Sequence, residues 1–140
     1  MHLDPAQDKI AIVVDGALPS GLAANAAAVV AATLGLRTTG MIGADARSAD
    51  GVHVPGITRM AMPILKSDVT GLTELHRRAL IEPELFTVPF TAAAQAARGY
   101  DEYLEGLAAQ EMAELALVAL GIAGPRARVS SLAGSLPLLR

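Results

Sequence analysis

Hydrophobic and polar positions alternate along this chain in a way that predicts strands separated by helices. The β-branched run Lys9–Val14 predicts a first strand. The segment Gly21–Leu34 is apolar on every side of a helical wheel, which predicts a buried helix, and Gly35 is placed to end it. A strand, a tight turn and a helix of small residues form the opening unit of an α/β layered domain.

The same reasoning predicts three further strands and the helices between them. A strand is expected over Ile57–Ile64, with Pro63 at its edge or end, and a helix follows a cap at Asp68 or Thr70. The apolar stripe of that helix comprises Leu72, Leu75 and Ala79. The remaining segments are a strand at Phe86–Phe90, helical turns at Ala92–Ala97 and Tyr100–Met112, a central strand at Ala116–Ala123, a short helix at Arg126–Leu132 and an extended tail at Leu136–Arg140. This order predicts a four-stranded sheet with helices on both sides.

Length and composition predict one packed domain over residues 1–140, with a loose N-terminus at 1–8 and a long loop at 38–56 that is functional or mobile. Hydrophobic residues make up 52% of the chain and charged residues 18%, which favours a core over disorder. The absence of cysteine excludes disulfides and thiolate chemistry. We find no export signal and no apolar run of membrane length, so a cytoplasmic protein without a membrane partner is expected.

The charge of the chain bears on its partners. The formal net charge is −3, and an acidic surface does not attract the phosphate backbone of a nucleic acid. Arg126 and Arg128 flank the Gly124-Pro125 turn and are either exposed or placed to clamp an anion. The expected partners are a small molecule and a second copy of the chain, because an edge strand such as Ile57–Ile64 needs cover.

Three stretches carry a resemblance to a known family: Lys9–Gly35 with its central Asn25, the segment Ile57–Leu65, and Leu120–Arg140. The last is the most specific, with Gly-Pro, two arginines, Val, Leu-Ala-Gly-Ser-Leu and a terminal Leu-Leu-Arg. From about Lys9 onward the chain resembles a small bacterial family known as domain of unknown function two thousand, with alanine where the family usually has threonine in Leu-Thr-Gly-Ser-Leu.

That family resembles type II peptidyl-tRNA hydrolases in fold, which implies a three-layer α/β/α sandwich around a mixed four-stranded sheet. In those hydrolases the first helix opens with Gly-Lys-Ile-Ala-Ala-Gln, and the corresponding run here is Ser20–Asn25. Asn25 stands where the glutamine would be, and Gly21 stands where the functional lysine would be. The hydrolases' Asp-Ala-Gly-x-Thr element corresponds to Pro89–Ala93, which lacks the aspartate and keeps only Thr91. The resemblance therefore implies the fold without its hydrolytic residues.

Asn25 and Asp15 are candidate ligand-binding residues. A buried amide without a partner costs about 1–3 kcal/mol. Asn25 is therefore expected to bond either a neighbouring loop or strand end, or a ligand near the carboxyl ends of the parallel strands. Asp15 follows the first strand directly, where it either bonds its own turn ahead of Gly16 or joins Asn25 in the floor of a polar pocket.

His53 and Thr91 complete the candidate ligand-binding set. His53 lies in the long loop near Asp45 and Asp50, but the spacing matches no metal-ligand signature, so a solvated histidine is favoured and no metal or cofactor is predicted. Thr91 follows a strand, where it either caps a helix or contacts a ligand. His76 falls inside the apolar arc of its helix and is expected at the edge of the core.

Two functions follow from these observations. The leading hypothesis is a non-hydrolytic domain that binds a small molecule or a protein partner. The alternative is an enzyme that hydrolyses an amide or ester at a relocated site built from Asp15, Asn25, Thr91 and the loop 38–56. The missing lysine and aspartate favour the first hypothesis.

Overall fold

The computed structural model describes all residues from Met1 to Arg140 and contains both strands and helices, as predicted. The strands are β1 (Asp8–Asp15), β2 (Ala46–Arg47), β3 (His53–Val54), β4 (Ile64–Ser67), β5 (Phe86–Thr91) and β6 (Leu117–Pro125). The helices are α1 (Ser20–Arg37), α2 (Val69–Leu80), α3 (Ala92–Ala96), α4 (Tyr100–Ala108) and α5 (Arg126–Ala133), with a 3₁₀ turn at Met112–Glu114. The predicted mixed α/β class is confirmed.

Four strands form one mixed sheet in the order β4-β1-β6-β5, as the sequence analysis predicted for the strand number. β1 and β4 are parallel, with Ile12 opposite Ile64, whereas β6 is antiparallel to both β1 and β5. The carboxyl ends of β1, β4 and β5 therefore lie at one end of the sheet. β6 is buried from Leu117 to Gly124, as its continuous apolar sequence predicts for a central strand.

Helices cover both faces of the sheet, and alternate side chains of β1 divide the core into two layers. On one face Ile10, Ile12 and Val14 belong to a cluster with α1. On the other face Ala11 and Val13 belong to a cluster with α2 and α5. The sheet thus lies between two helical layers.

Helix α1 differs from its prediction in both length and burial. It continues through Gly35 to Arg37, and Thr38 ends it by donating its amide and its hydroxyl to the carbonyl of Leu34, at 3.0 and 2.7 Å. Only one stripe is buried, which consists of Ala23, Ala26, Val30 and Leu34. The expectation of burial on every side was wrong. Many exposed positions are alanines, which add little apolar area and stay in water at small cost, but Leu22, Val29 and Leu36 are exposed as well.

The apolar composition of α1 bears on the prediction that the chain has no segment of membrane length. By length and composition alone, α1 is long and apolar enough to cross a membrane, although the sequence analysis found no such run. In the structure its buried stripe packs on β1, β5 and β6.

The strand predicted at Ile57–Ile64 was placed too early. β4 begins at Ile64, and residues 57–63 are irregular apart from a single bridge between Ile42 and Thr58. Parallel pairing starts where the carbonyl of Pro63 accepts the amide of Ile12 at 3.1 Å. Proline has no N–H to extend the ladder in the other direction. The long loop before it contains the small β2–β3 hairpin.

Both termini are tied to the rest of the chain. The N-terminus, expected to be loose over residues 1–8, is held because Leu3 is fully buried and its amide donates to the carbonyl of Thr39 at 2.8 Å. The C-terminal tail lies along β4, where the amide of Lys66 donates to the carbonyl of Pro137 at 2.9 Å. The chain therefore covers the β4 edge itself, so the edge argument for a dimer no longer applies there. β5 is the other edge strand.

Candidate functional site

Asp15 ends β1 opposite Ser67 of β4, at the end of the sheet where open α/β folds place their ligands. Its Oδ1 accepts the amide of Ala17 at 3.0 Å. This bond belongs to the turn between β1 and α1, which is the local role that aspartate often has. Its carboxylate forms no hydrogen bond to Asn25.

Thr91 is the last residue of β5 and is only 4% exposed. Its Oγ1 accepts the amide of Ala94 at 3.0 Å and so caps the N-terminus of α3. The structure therefore places Thr91 in the capping role. Its burial leaves little of the side chain for a ligand.

Asn25 lies on the exposed side of α1, not in the core as expected. It is two positions after buried Ala23, which is about 200° around the helix axis. Its Oδ1 accepts a hydrogen bond from Nε2 of Gln95 at 3.2 Å, and the same Nε2 donates to the carbonyl of Leu22 at 2.9 Å. The pair ties α3 to α1 across 70 residues of sequence.

His53 lies on β3 in the separate hairpin, far along the chain from the other candidates. Its Nε2 is 2.8 Å from Oδ2 of Asp45, and both side chains are more than half exposed. The amide of Gly56 and then His53 lower the pKa of Asp45 by hydrogen bonding. No group of three or more His, Asp or Glu side chains is arranged to hold a metal ion. None of the four candidates is hydrogen-bonded to another.

A groove of about 420 Å³ lies beside Asn25, between α1, β5 and the α3–α4 segment. We call it the α1–β5 groove. Its lining residues are Val29, Thr33, Val88, Pro89, Phe90, Ala94, Ala97, Gly99, Tyr100 and Tyr103. Val29 and Thr33 follow Asn25 at one-turn intervals along the same face of α1, so the bridge from Asn25 to Gln95 stands at one end of the groove.

The aromatic wall of the α1–β5 groove comes from α4 and β5. The rings of Tyr100 and Tyr103 meet edge to face, with centroids 5.4 Å apart, and Tyr100 is 73% exposed. Apart from these two phenols no ionisable side chain lines the groove. An apolar cleft with a few polar groups is typical of a small-molecule site.

The sequence pattern placed these aromatic residues only in a strand and a helix, so the groove was not predicted. A signal was present, because all four aromatic residues of the chain fall between Phe86 and Tyr103. Three of the four line the α1–β5 groove. Phe86 and Phe90 also pack against the core, whereas Tyr100 and Tyr103 belong to neither core cluster.

The proteins to which this chain is similar are themselves described as having unknown function. Residues 8–140 match the family model described as "Protein of unknown function (DUF2000)". No curated protein matches the chain at a significant level. A solved protein of unknown function from Agrobacterium tumefaciens is similar, with a TM-score of 0.86 and 17% identity over 94% of this chain and 97% of that one. At this identity the similarity concerns the fold alone.

Proposed function

We propose that this chain, which belongs to the DUF2000 family of proteins of unknown function, is a non-hydrolytic domain that binds a small molecule. The binding site is the α1–β5 groove. The scaffold is similar to that of type II peptidyl-tRNA hydrolases, and the ligand is a molecule with a flat apolar portion.

The placement of the aromatic residues carries this proposal. Phe90, Tyr100 and Tyr103 supply large, rigid apolar surfaces on which a flat ring can stack. The phenol groups can bond a polar atom at the edge of such a ring. Because no charged side chain lines the groove, the ligand class is uncharged or weakly polar.

Two positions support the non-hydrolytic part of the proposal. By the resemblance, Gly21 corresponds to the hydrolases' lysine and supplies no ammonium group. Pro89 begins the element that carries the hydrolases' aspartate. A general base must reach the reacting group by a hydrogen bond, and Asp15 and Thr91 each bond to their own local backbone. No observation favours the relocated hydrolase site.

A fluorescence titration of the full chain with N-phenylnaphthylamine, a neutral aromatic dye, tests the proposal. The wild type is expected to bind the dye saturably. Val29→Glu is expected to weaken binding about tenfold or more, because it places an unpaired charge against the ligand. Val69→Glu is the matched control, since Val69 on α2 is 40% exposed and Val29 is 38% exposed.

Asn25→Ala adds a second, smaller expectation. The substitution removes the acceptor for Gln95 and loosens α3 against α1, so binding weakens while thermal stability changes little. Equal affinity in wild type and Val29→Glu, or equal losses in the Val29 and Val69 variants, would exclude the groove as the site. Enzyme-like release of peptides from peptidyl-tRNA by the wild type would contradict the non-hydrolytic role.

A further inference from the structure

A second groove, of about 460 Å³, opens at the end of the sheet where β1 and β4 begin and β6 passes into α5. Three cationic residues from distant parts of the chain line it, namely Lys9, Arg59 and Arg126. We call it the cationic groove. It shares no lining residue with the α1–β5 groove.

None of the three cations forms an ion pair, since the ion pairs of the protein involve other residues. Each is held instead by a neutral oxygen. Lys9 Nζ donates to Ser130 Oγ at 3.2 Å, Arg59 Nη2 to the carbonyl of Gly40 at 2.8 Å, and Arg126 Nη2 to the carbonyl of Asp8 at 3.3 Å. These bonds orient the side chains without neutralising them, and each guanidinium keeps further donors for a ligand.

The structure separates the two arginines that the sequence analysis paired as a candidate anion clamp. Arg128 Nε lies 3.3 Å from a carboxylate oxygen of Glu84 and 3.8 Å from one of Glu82. Arg126 lines the cationic groove with Lys9 and Arg59. Both arginines are exposed, which agrees with the first of the two alternatives. They do not form one clamp, because Arg128 lies beside two carboxylates and Arg126 does not.

One carboxylate, that of Asp8, also lines the cationic groove. Its Oδ2 accepts a hydrogen bond from the amide of Asp4 at 2.7 Å. The carboxylate forms no ion pair with any of the three cations. Three positive groups against one negative group make a positive site on a protein whose net charge is −3. A concave site of one sign attracts ions of the other.

We propose that the cationic groove binds a small organic anion that carries at least two negative charges on phosphoryl or carboxylate groups. Guanidinium forks donate paired hydrogen bonds to either group. The groove is larger than an inorganic anion needs, and Met60 and Met62 provide an apolar wall for the organic part. This inference does not depend on the function of the α1–β5 groove.

Calorimetric titrations with pyrophosphate and with citrate, at low ionic strength, test this inference. Arg59→Gln and Arg126→Gln are each expected to weaken binding about tenfold or more, because each removes a charged donor. Arg126 bonds backbone oxygens only at 3.3 and 3.4 Å, so its variant is expected to fold even if the loss of the Arg59–Gly40 bond disturbs the loop. Arg78→Gln on α2 removes the same charge from an exposed position and is the control.

The outcomes distinguish the ligand class. Binding of pyrophosphate alone indicates a phosphoryl ligand, binding of citrate alone a carboxylate ligand, and binding of both the shared multiply charged chemistry. The inference is overturned if neither probe binds at millimolar concentration. It is also overturned if Arg126→Gln binds as tightly as the wild type, or if Arg78→Gln weakens binding by the same factor.

Discussion

Helices α1 and α2 lie on opposite faces of one sheet, and the residues on their outer sides differ in polarity. α2 buries a stripe of Leu72, Leu75, His76 and Ala79, and its exposed Glu74 and Arg77 pair at 2.7 Å. α1 also buries one stripe, but its outer side is apolar. Leu22, Val29 and Leu36 there are 45%, 38% and 84% exposed.

The difference shows that an apolar pattern reports two things at once. In α2 the stripe is buried, and the exposed apolar residues Val69 and Leu80 are the first and last residues of the helix. In α1 the core uses one stripe, and apolar residues beyond it lie on the surface, where Val29 forms part of the α1–β5 groove. Apolar surface that a core does not need often marks a binding site.

The largest expected effect on the free energy of unfolding comes from truncating a buried leucine, in comparison with an exposed leucine of the same helix. Leu34→Ala in α1 and Leu72→Ala in α2 are expected to lower the free energy of unfolding by about 2–5 kcal/mol, because both side chains are fully buried. Leu36→Ala and Leu80→Ala, on the exposed sides, are expected to change it by no more than about 0.5 kcal/mol. Urea denaturation measures all four. A large loss for Leu36→Ala would mean that the outer side of α1 is buried in solution.

A smaller effect is expected where α1 meets the sheet. A Cβ atom on Gly121 of β6 would lie 2.5 Å from Cγ1 of Val30, so Gly121→Ala is expected to lower the free energy of unfolding by about 1–3 kcal/mol. In α4 a Cβ on Gly106 would meet nothing within 4 Å. Gly106→Ala is therefore the control and is expected to stabilise by about 0.5–1 kcal/mol. If the two variants melt alike, α1 does not lie as close to β6 as described.

Sequence patterns predicted most of the fold because local features decide most of it. Asp68 caps α2 as expected, with its side chain accepting the amide of Gly71, and β6 is central because its apolar run is continuous. The start of β4 was predicted too early because the alternation of apolar residues in 57–63 does not indicate which residue pairs with Ile12 of β1. The cover of β4 by the C-terminal tail is a contact between segments more than 70 residues apart, which no local pattern encodes.

The candidate site was predicted less well for the same reason. Asn25 was a candidate because it is a polar residue in an apolar helix. Its hydrogen-bond partner Gln95 depends on the packing of α3 against α1, which the local sequence does not indicate. The tyrosines of α4 gave a signal through their clustering with Phe86 and Phe90 in a chain with only four aromatic residues. The cationic groove brings Lys9 together with Arg59 and Arg126. The sequence indicated only Arg126, as one alternative together with Arg128.

The smallest expected effect concerns the buried stripe of α2 and its one titratable member. His76 is 6% exposed, as expected for the core edge, and desolvation lowers its pKa. Below about pH 6.5 the unfolded chain gains a proton that the folded protein takes up only at lower pH, so acidification lowers the free energy of unfolding. Above that pH the imidazole is neutral in both states and contributes nothing to the pH dependence of the free energy of unfolding.

His76→Gln is therefore expected to match the wild type's pH dependence above pH 7 and to lose less stability as the pH falls toward 5. His53→Gln removes an exposed imidazole instead, and an equal change of slope in that variant would show that burial on α2 is not the cause.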